Sequence, residues 1–185
     1  MDPALQPTAT LVLQARSADG RACEALVRQF MRPAYVVALS IVQRPADAED
    51  IAQESLMVAF EKLDSCRDPA CFPAWLMQIV RNRARNWLDK RRLRDVASED
   101  DAPAELSIAP GETGMQKGLL AALSQLTGPQ REVVLLHDLE EWTHAEIAST
   151  LGISELMSRQ HLFNARQRVR AYLDPAHAPK VNHGE

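Results

Sequence analysis

Arginines and side-chain amides alternate along one side of the stretch Phe72 to Arg94, FPAWLMQIVRNRARNWLDKRRLR. At helical spacing, Gln78, Arg81, Asn82, Arg85, Asn86 and Asp89 share one face, while Phe72, Leu76, Ile79, Val80, Ala84 and Trp87 share the other. The polar face runs on into Lys90, Arg91, Arg92 and Arg94. Guanidinium groups hold phosphate and carboxamides pair with base edges, so the pattern suits a nucleic-acid strand. It equally suits a solvated basic face, because the helix dipole favours cations at a C-terminal end. On this helix alone the two readings balance.

A second stretch, Asp47 to Leu63, has the opposite sign. Ile51, Ala52, Leu56, Ala59, Phe60 and Leu63 form an apolar seam, and Asp50, Gln53, Glu54, Met57 and Glu61 form a separate stripe. Acids at a helix start complement its dipole, which is the ordinary reading. An acidic stripe carrying one exposed methionine also fits a docking face for a basic partner helix.

A third stretch, WTHAEIASTLGISELMSRQHLFNARQRVRAYL, carries helix punctuation. Thr143 with Glu146 makes a capping box, Gly152 stops the first helix, and Ser154 caps the next. A short helix, a glycine turn and a longer helix bearing Arg159, Arg166, Arg168 and Arg170 is a helix-turn-helix pattern. The alternative is an αα-hairpin within a bundle.

The elements that must position these faces are helical throughout. The 185 residues include only seven glycines, none between Arg21 and Pro110, and are rich in Ala, Leu, Arg, Glu and Gln. The expected fold is therefore all-α, with helices over Ala9 to Arg16, Arg21 to Val42 (bent at Pro33), Asp47 to Leu63 and Phe72 to Arg94. Between the third and fourth lies the loop DSCRDPACFP, Asp64 to Pro73, a connector or the rim of a pocket. Further helices follow over Gly114 to Leu126, from Pro129 to about Leu139, and through the helix-turn-helix.

Asp95 to Thr113 is acidic, contains prolines and lacks an apolar period, which predicts a flexible linker between two small helical domains. The domains expected are 9–94 and 114–174, with the linker over 95–113 and a disordered tail over 175–185.

The formal charge of −4 gives no global sign of nucleic-acid binding, so any such contact must come from segregated charge. Arg81 to Arg94 holds seven cations against Asp89 alone, whereas Asp95 to Glu112 holds six acids and no base. Cys23, Cys66 and Cys71 are odd in number and form no CxxC pair, no two histidines stand at ligand spacing, and no nucleophile has an evident base. Neither a metal or thiol enzyme nor a membrane-inserted protein is favoured. With no signal core and no long apolar run, a reduced cytoplasmic location is expected, with no cofactor.

Three of these stretches, in this order and at this separation, resemble the extracytoplasmic-function sigma factors of bacterial RNA polymerase. The matching residues are Ala48-Glu49-Asp50-Ile51-Ala52-Gln53-Glu54; Phe72, Trp75, Leu76, Ile79 and Asn82; and Ala145-Glu146-Ile147-Ala148, Leu151-Gly152-Ile153-Ser154 and Ala165-Arg166. The resemblance implies a transcription initiation factor whose first domain is sigma region 2 and whose second is the region 4 helix-turn-helix. It implies that Asp47, Asp50, Gln53, Glu54 and Met57 dock on core RNA polymerase. It implies further that the Asp64 to Pro73 loop receives a flipped base at the minus-ten element, while Asn82, Arg85, Asn86, Arg91 and Arg92 hold promoter DNA there. The acidic linker would run through the polymerase interior. Arg159, Gln160, His161, Phe163 and Asn164, with Arg166 as a phosphate clamp, would read the minus-thirty-five element. An anti-sigma partner is implied as well.

The departures from that family concern sequence preference. Cations common in the family are softened or lost at His161 and Asn164, Gln160 stands where serine is common, Ser158 replaces an apolar residue, and Glu141 stands where glycine is frequent. Arg83 lies among apolar neighbours and must snorkel or find an acid. The competing reading is a stand-alone helix-turn-helix regulator, which needs neither the acidic stripe nor the amide-bearing helix.

Overall fold

Helix punctuation written into the sequence sets most of the element boundaries. The computed structural model describes residues 7–97 and 114–173. Among these there are eight α-helices and no strand.

The first half contains α1 (Thr8–Arg16), α2 (Gly20–Val42), α3 (Pro45–Glu61) and α4 (Phe72–Ala97). Asp19 caps α2 by accepting from the backbone N–H groups of Arg21 and Ala22. Pro33 lies buried inside α2, and the helix continues through it. α3 starts two residues earlier than its acids suggest. Pro45 occupies the first turn, where its missing N–H costs nothing, and Asp47 forms a 2.6 Å ion pair with Arg44 in place of a cap hydrogen bond.

α2 is the central element and touches α1, α3, α4 and α6. By length and composition it is apolar enough to cross a membrane, but 61% of its most apolar window is buried inside the protein. That is the state of a bundle's core helix. Phe30 on α2 meets Phe72 on α4 edge to face at 5.4 Å, and Leu11, Leu26, Leu76, Met77 and Val80 are fully buried around them. Ile79 and Trp87, expected in the core, are only partly buried. The guanidinium of Arg91 lies 5.5 Å from the Trp87 ring centre. The Asp64 to Pro73 loop forms two 3-10 turns, Leu63–Ser65 and Pro69–Cys71. Arg16 of α1 pins it by donating to the carbonyls of Leu63 and Cys66.

The second half contains α5 (Gly114–Ser124), α6 (Gly128–Asp138), α7 (His144–Leu151) and α8 (Glu155–Leu173). Thr127 and Gln130 form a capping box at the start of α6, with Pro129 in its first turn. α4 runs three residues past the expected start of the linker, to Ala97. The remainder of that linker, and the expected tail, lie outside the described residues.

The two halves pack directly on one another. α6 is buried on all sides from Gln130 to Leu136, with its own domain on one side and α2 on the other, and one continuous apolar cluster joins the halves. Arg131, which is 6% exposed, ties this seam. Its Nε donates to the Leu123 carbonyl at 2.7 Å, one terminal nitrogen donates to Leu126 O at 2.8 Å, and the other reaches Ser40 O in the last turn of α2. Burial pulls the Arg131 pKa below its ordinary value. Replacing Arg131 by Met leaves the Leu126 and Ser40 carbonyls without this donor, while Leu123 O keeps the Leu126 N–H; the cost is about 1–3 kcal/mol for each one that water cannot reach. Chemical denaturation of Arg131→Met should therefore show a loss of about 3 kcal/mol with the helical circular-dichroism signature retained.

Candidate functional site

Three surfaces carry the residues singled out by sequence. On α3, Asp50, Gln53 and Glu54 are exposed and Met57 is 63% exposed, a large fraction for a methionine, while Ile51, Ala52, Leu56 and Ala59 are buried beneath them. Asp47 is half-buried against Arg44. Arg83 of α4 finds the acid it needs: it donates to Glu54, joining the acidic stripe of α3 to the basic helix.

On α4, Asn82, Arg85, Asn86 and Arg92 are exposed, and Gln78 donates to Asn82 at 2.9 Å. Arg81 departs from the expected pattern. Helical spacing groups it with the outward polar face, but it is only 6% exposed, with its Nε donating to Glu132 on α6 at 2.7 Å and a terminal nitrogen 3.3 Å from the Thr150 carbonyl in the last turn of α7. A helical wheel marks a polar face but cannot show that a second domain sits on it. Burial pushes the Glu132 carboxyl above its ordinary range, against the pull of Arg81 and Arg85. Nearer the rim of the seam, Arg32 of α2 pairs with the well-buried Glu140 at 2.6 Å.

The Asp64 to Pro73 loop holds Cys66 buried and Cys71 exposed. Burial raises the Cys66 pKa, and the hydrogen bond to Asp68 raises that of Cys71, so neither thiol is held as a thiolate. Ala70, Cys71, Pro73 and Ala74 line one wall of a cleft of about 430 Å³ whose other walls include Phe30, Trp142 and Thr150. The loop is thus the rim of a pocket, and the second domain closes it.

α7 and α8 form the turn the sequence describes. Thr143 and Glu146 bond reciprocally, Gly152 is left-handed at φ 68°, and the Ser154 hydroxyl accepts from the Met157 N–H at 3.1 Å. The N–H groups of Gly152 and Ile153 both return to the Ala148 carbonyl. Glu141 has φ 58°, which accounts for a position where glycine is frequent.

On α8, Arg159, Gln160 and Phe163 are exposed, while His161 and Asn164 are half-buried. Arg159 pairs with Glu155 at 2.8 Å. Arg166 makes two hydrogen bonds to Asp138, at 2.5 and 3.0 Å. Burial pushes the Asp138 carboxyl up, but the bonds from Arg166 and His137 outweigh it and hold the carboxyl below its ordinary range.

Sequence reasoning missed one link. His144 Nδ1 lies 2.9 Å from the Ser158 hydroxyl, fully buried at the crossing of α7 and α8, and the His144 ring stacks on His137 at 4.7 Å. The polar residue at an apolar position of α8 was the available signal.

Two family models match the chain, one in each half. The model of "Sigma-70 region 2" matches residues 26–94, and that of "Sigma-70, region 4" matches 116–169. The extracytoplasmic-function sigma factor EcfG of Rhodopseudomonas palustris is 31% identical over 139 residues, 74% of this chain and 76% of that protein. The chain belongs to the sigma-70 family, in its extracytoplasmic-function group.

Members of that group are initiation factors that direct RNA polymerase to promoters, and this sigma factor carries regions 2 and 4 of the family. A Xanthomonas campestris protein described as "Probable RNA polymerase sigma factor RfaY" is 37% identical over 146 residues. That match takes in 72% of this chain but only 36% of that longer protein. Among solved structures, CnrH in complex with the cytosolic domain of CnrY has a TM-score of 0.67 at 26% identity, covering 91% of this chain and 97% of CnrH. The region 2 match over the acidic stripe and the amide-bearing helix decides against a stand-alone helix-turn-helix regulator.

The seam of the sigma factor has a measurable signature. Glu132→Leu strands the Arg81 guanidinium in a dry site, whereas Glu132→Leu with Arg81→Met removes both charges, and a buried charge left alone costs about 3–5 kcal/mol where a matched apolar pair is near neutral. The single variant is expected to loosen the two halves, seen as a larger radius of gyration in small-angle scattering. The double variant should return it towards the parent value.

Proposed function

We propose that the three surfaces divide the work of initiation. The exposed face of α3, with Asp50, Gln53, Glu54 and Met57 and with Asp47 at its start, binds core RNA polymerase. Asn82, Arg85 and Asn86, continued by Arg91 and Arg92, hold the separating strand at the minus-ten element. α8 reads the minus-thirty-five element through Arg159, Gln160, His161, Phe163 and Asn164, with Arg166 on phosphate. The observation that carries this reading is that charges of opposite sign lie on adjacent helices, bridged by the Arg83 to Glu54 bond, so a protein-docking face and a strand-holding face abut.

Residues 9–94 and 114–174 act as two domains in this reading. The two elements lie about 25 base pairs apart, or about 85 Å along a duplex at about 3.4 Å per pair. A packed body of this chain's size is only about 40 Å across, from the usual scaling of radius with length. The seam at Arg81 and Arg131 therefore separates when both elements are engaged, and the acidic linker spans the gap. The packed form is the one an inhibitor would hold. CnrH was solved with the cytosolic domain of another protein, and a cognate anti-sigma factor is proposed for this chain. The factor itself does no chemistry, carries no cofactor and acts in the cytoplasm, where the polymerase supplies the reaction.

Asp50→Arg with Met57→Ala changes only exposed side chains, so the melting temperature should hold while capture of core polymerase in a pull-down falls at least tenfold. Unchanged capture would remove the docking assignment. Asn82→Ala with Asn86→Ala should leave recruitment intact and lower promoter opening, followed by permanganate footprinting of unpaired thymines. Equal opening by variant and parent would remove the strand-holding assignment.

A further inference from the structure

Directly opposite the buried face of α8, which is formed by Ser158, Leu162 and Ala165, runs a stripe of four exposed residues: Leu156, Gln160, Phe163 and Gln167. Their spacing of four, three and four puts them on one line along the helix. Leu156 is 72% exposed and Phe163 is 61% exposed, so two large apolar side chains stand in water with amides beside them. Neither packs into this chain's core. Arg159 and Arg166 lie to one side of the line and pair in this structure with Glu155 and Asp138.

We propose that this stripe selects A·T base pairs in the upstream element, with Leu156 and Phe163 against thymine methyl groups and Gln160 bonded to adenine; the inference rests on α8 being the upstream reader. Each base pair shows a distinct pattern in the major groove. A carboxamide matches the N6 and N7 edge of adenine with two hydrogen bonds, and thymine alone presents a methyl group. Guanine is matched by a free guanidinium or ammonium; from Leu156 to Gln167 the line carries none, and the exposed Arg170 continues it only beyond the Leu156 to Phe163 span. Leu156 to Phe163 spans about 10 Å at 1.5 Å per residue, which corresponds to about three base-pair steps. Leucine and phenylalanine gain nothing from phosphate, whereas a thymine methyl group offers them an apolar contact.

The test uses the full chain with core polymerase and a promoter library randomised across the upstream element. Run-off transcripts are expected to enrich A·T pairs at about three consecutive positions. On a selected promoter, replacing upstream thymines by uracil removes only the methyl groups, and transcription by the parent should fall about fourfold for each methyl group taken from beneath Leu156 or Phe163. Leu156→Ala with Phe163→Ala should transcribe the thymine and uracil promoters equally. Gln160→Ala should lose roughly tenfold in preference for adenine at a single position.

Because the thymine-to-uracil comparison is made with the parent protein, it does not depend on how a variant folds. Enrichment of G·C pairs, or equal use of thymine and uracil by the parent, overturns the A·T assignment while leaving α8 as the upstream reader. Transcription indifferent to every upstream sequence overturns both.

Discussion

Two guanidinium groups out of water, Arg81 and Arg131, fix how the halves of this chain meet. Dehydrating an arginine is costly unless its donors are met, and here they are met by groups that helices leave over. Arg131 reaches Ser40 O in the last turn of α2, and Arg81 reaches Thr150 O in the last turn of α7 as well as the Glu132 carboxylate. The last four carbonyls of a helix have no partner within it and carry the negative end of its dipole. Each arginine therefore satisfies acceptors that would otherwise be buried unpaired. Such a seam specifies orientation more than it adds stability, because the attraction in a buried ion pair is largely offset by lost hydration. That balance suits a contact that, on the proposed function, holds one arrangement and also releases it.

The helix-turn-helix is built on a different basis, almost wholly local. Positive φ at Glu141 turns the chain before α7, the Thr143 and Glu146 box starts it, Gly152 ends it, and Ser154 starts α8. Each device satisfies backbone groups within a few residues, so the angle between α7 and α8 is set before the rest of the protein contributes. The His144 to Ser158 hydrogen bond then links the two helices across their crossing at a site where an apolar pair would slide. Positioned in this way, α8 turns Leu156, Gln160, Phe163 and Gln167 outward together.

These two mechanisms explain which parts of the protein are legible in its sequence. Helix starts and stops are legible because caps and turns act over three or four residues, and the seams of α3 and α4 are legible because burial imposes a period of 3.6. Arg81 escapes such a reading because periodicity separates polar from apolar faces without saying what covers a polar face. By position alone Asp47 is a capping residue and Glu54 is free, yet each is engaged by an arginine, Arg44 from three residues away and Arg83 from another helix. The packing of the halves does leave a trace, for Val133 to Leu136 are four consecutive apolar residues in α6. A helix apolar on all sides is buried on all sides, and that run calls for a neighbour beyond its own domain.

The place of Arg81 on α4 couples the seam to the strand-holding surface. Gln78, Arg81 and Arg85 stand at spacings of three and four, so Arg81 belongs by register to the same line as the amides and cations proposed to hold DNA. While Glu132 occupies it, that line lacks its central cation. If the halves part as proposed, the guanidinium can exchange one anionic oxygen for another, a carboxylate for a phosphate. Arg85, close enough to Glu132 to lower its pKa, feels the same exchange. Phosphate and the Glu132 carboxylate of α6 would then compete for the same cations of α4. On the proposed function, opening the seam and gripping the strand would then be coupled through the same two arginines.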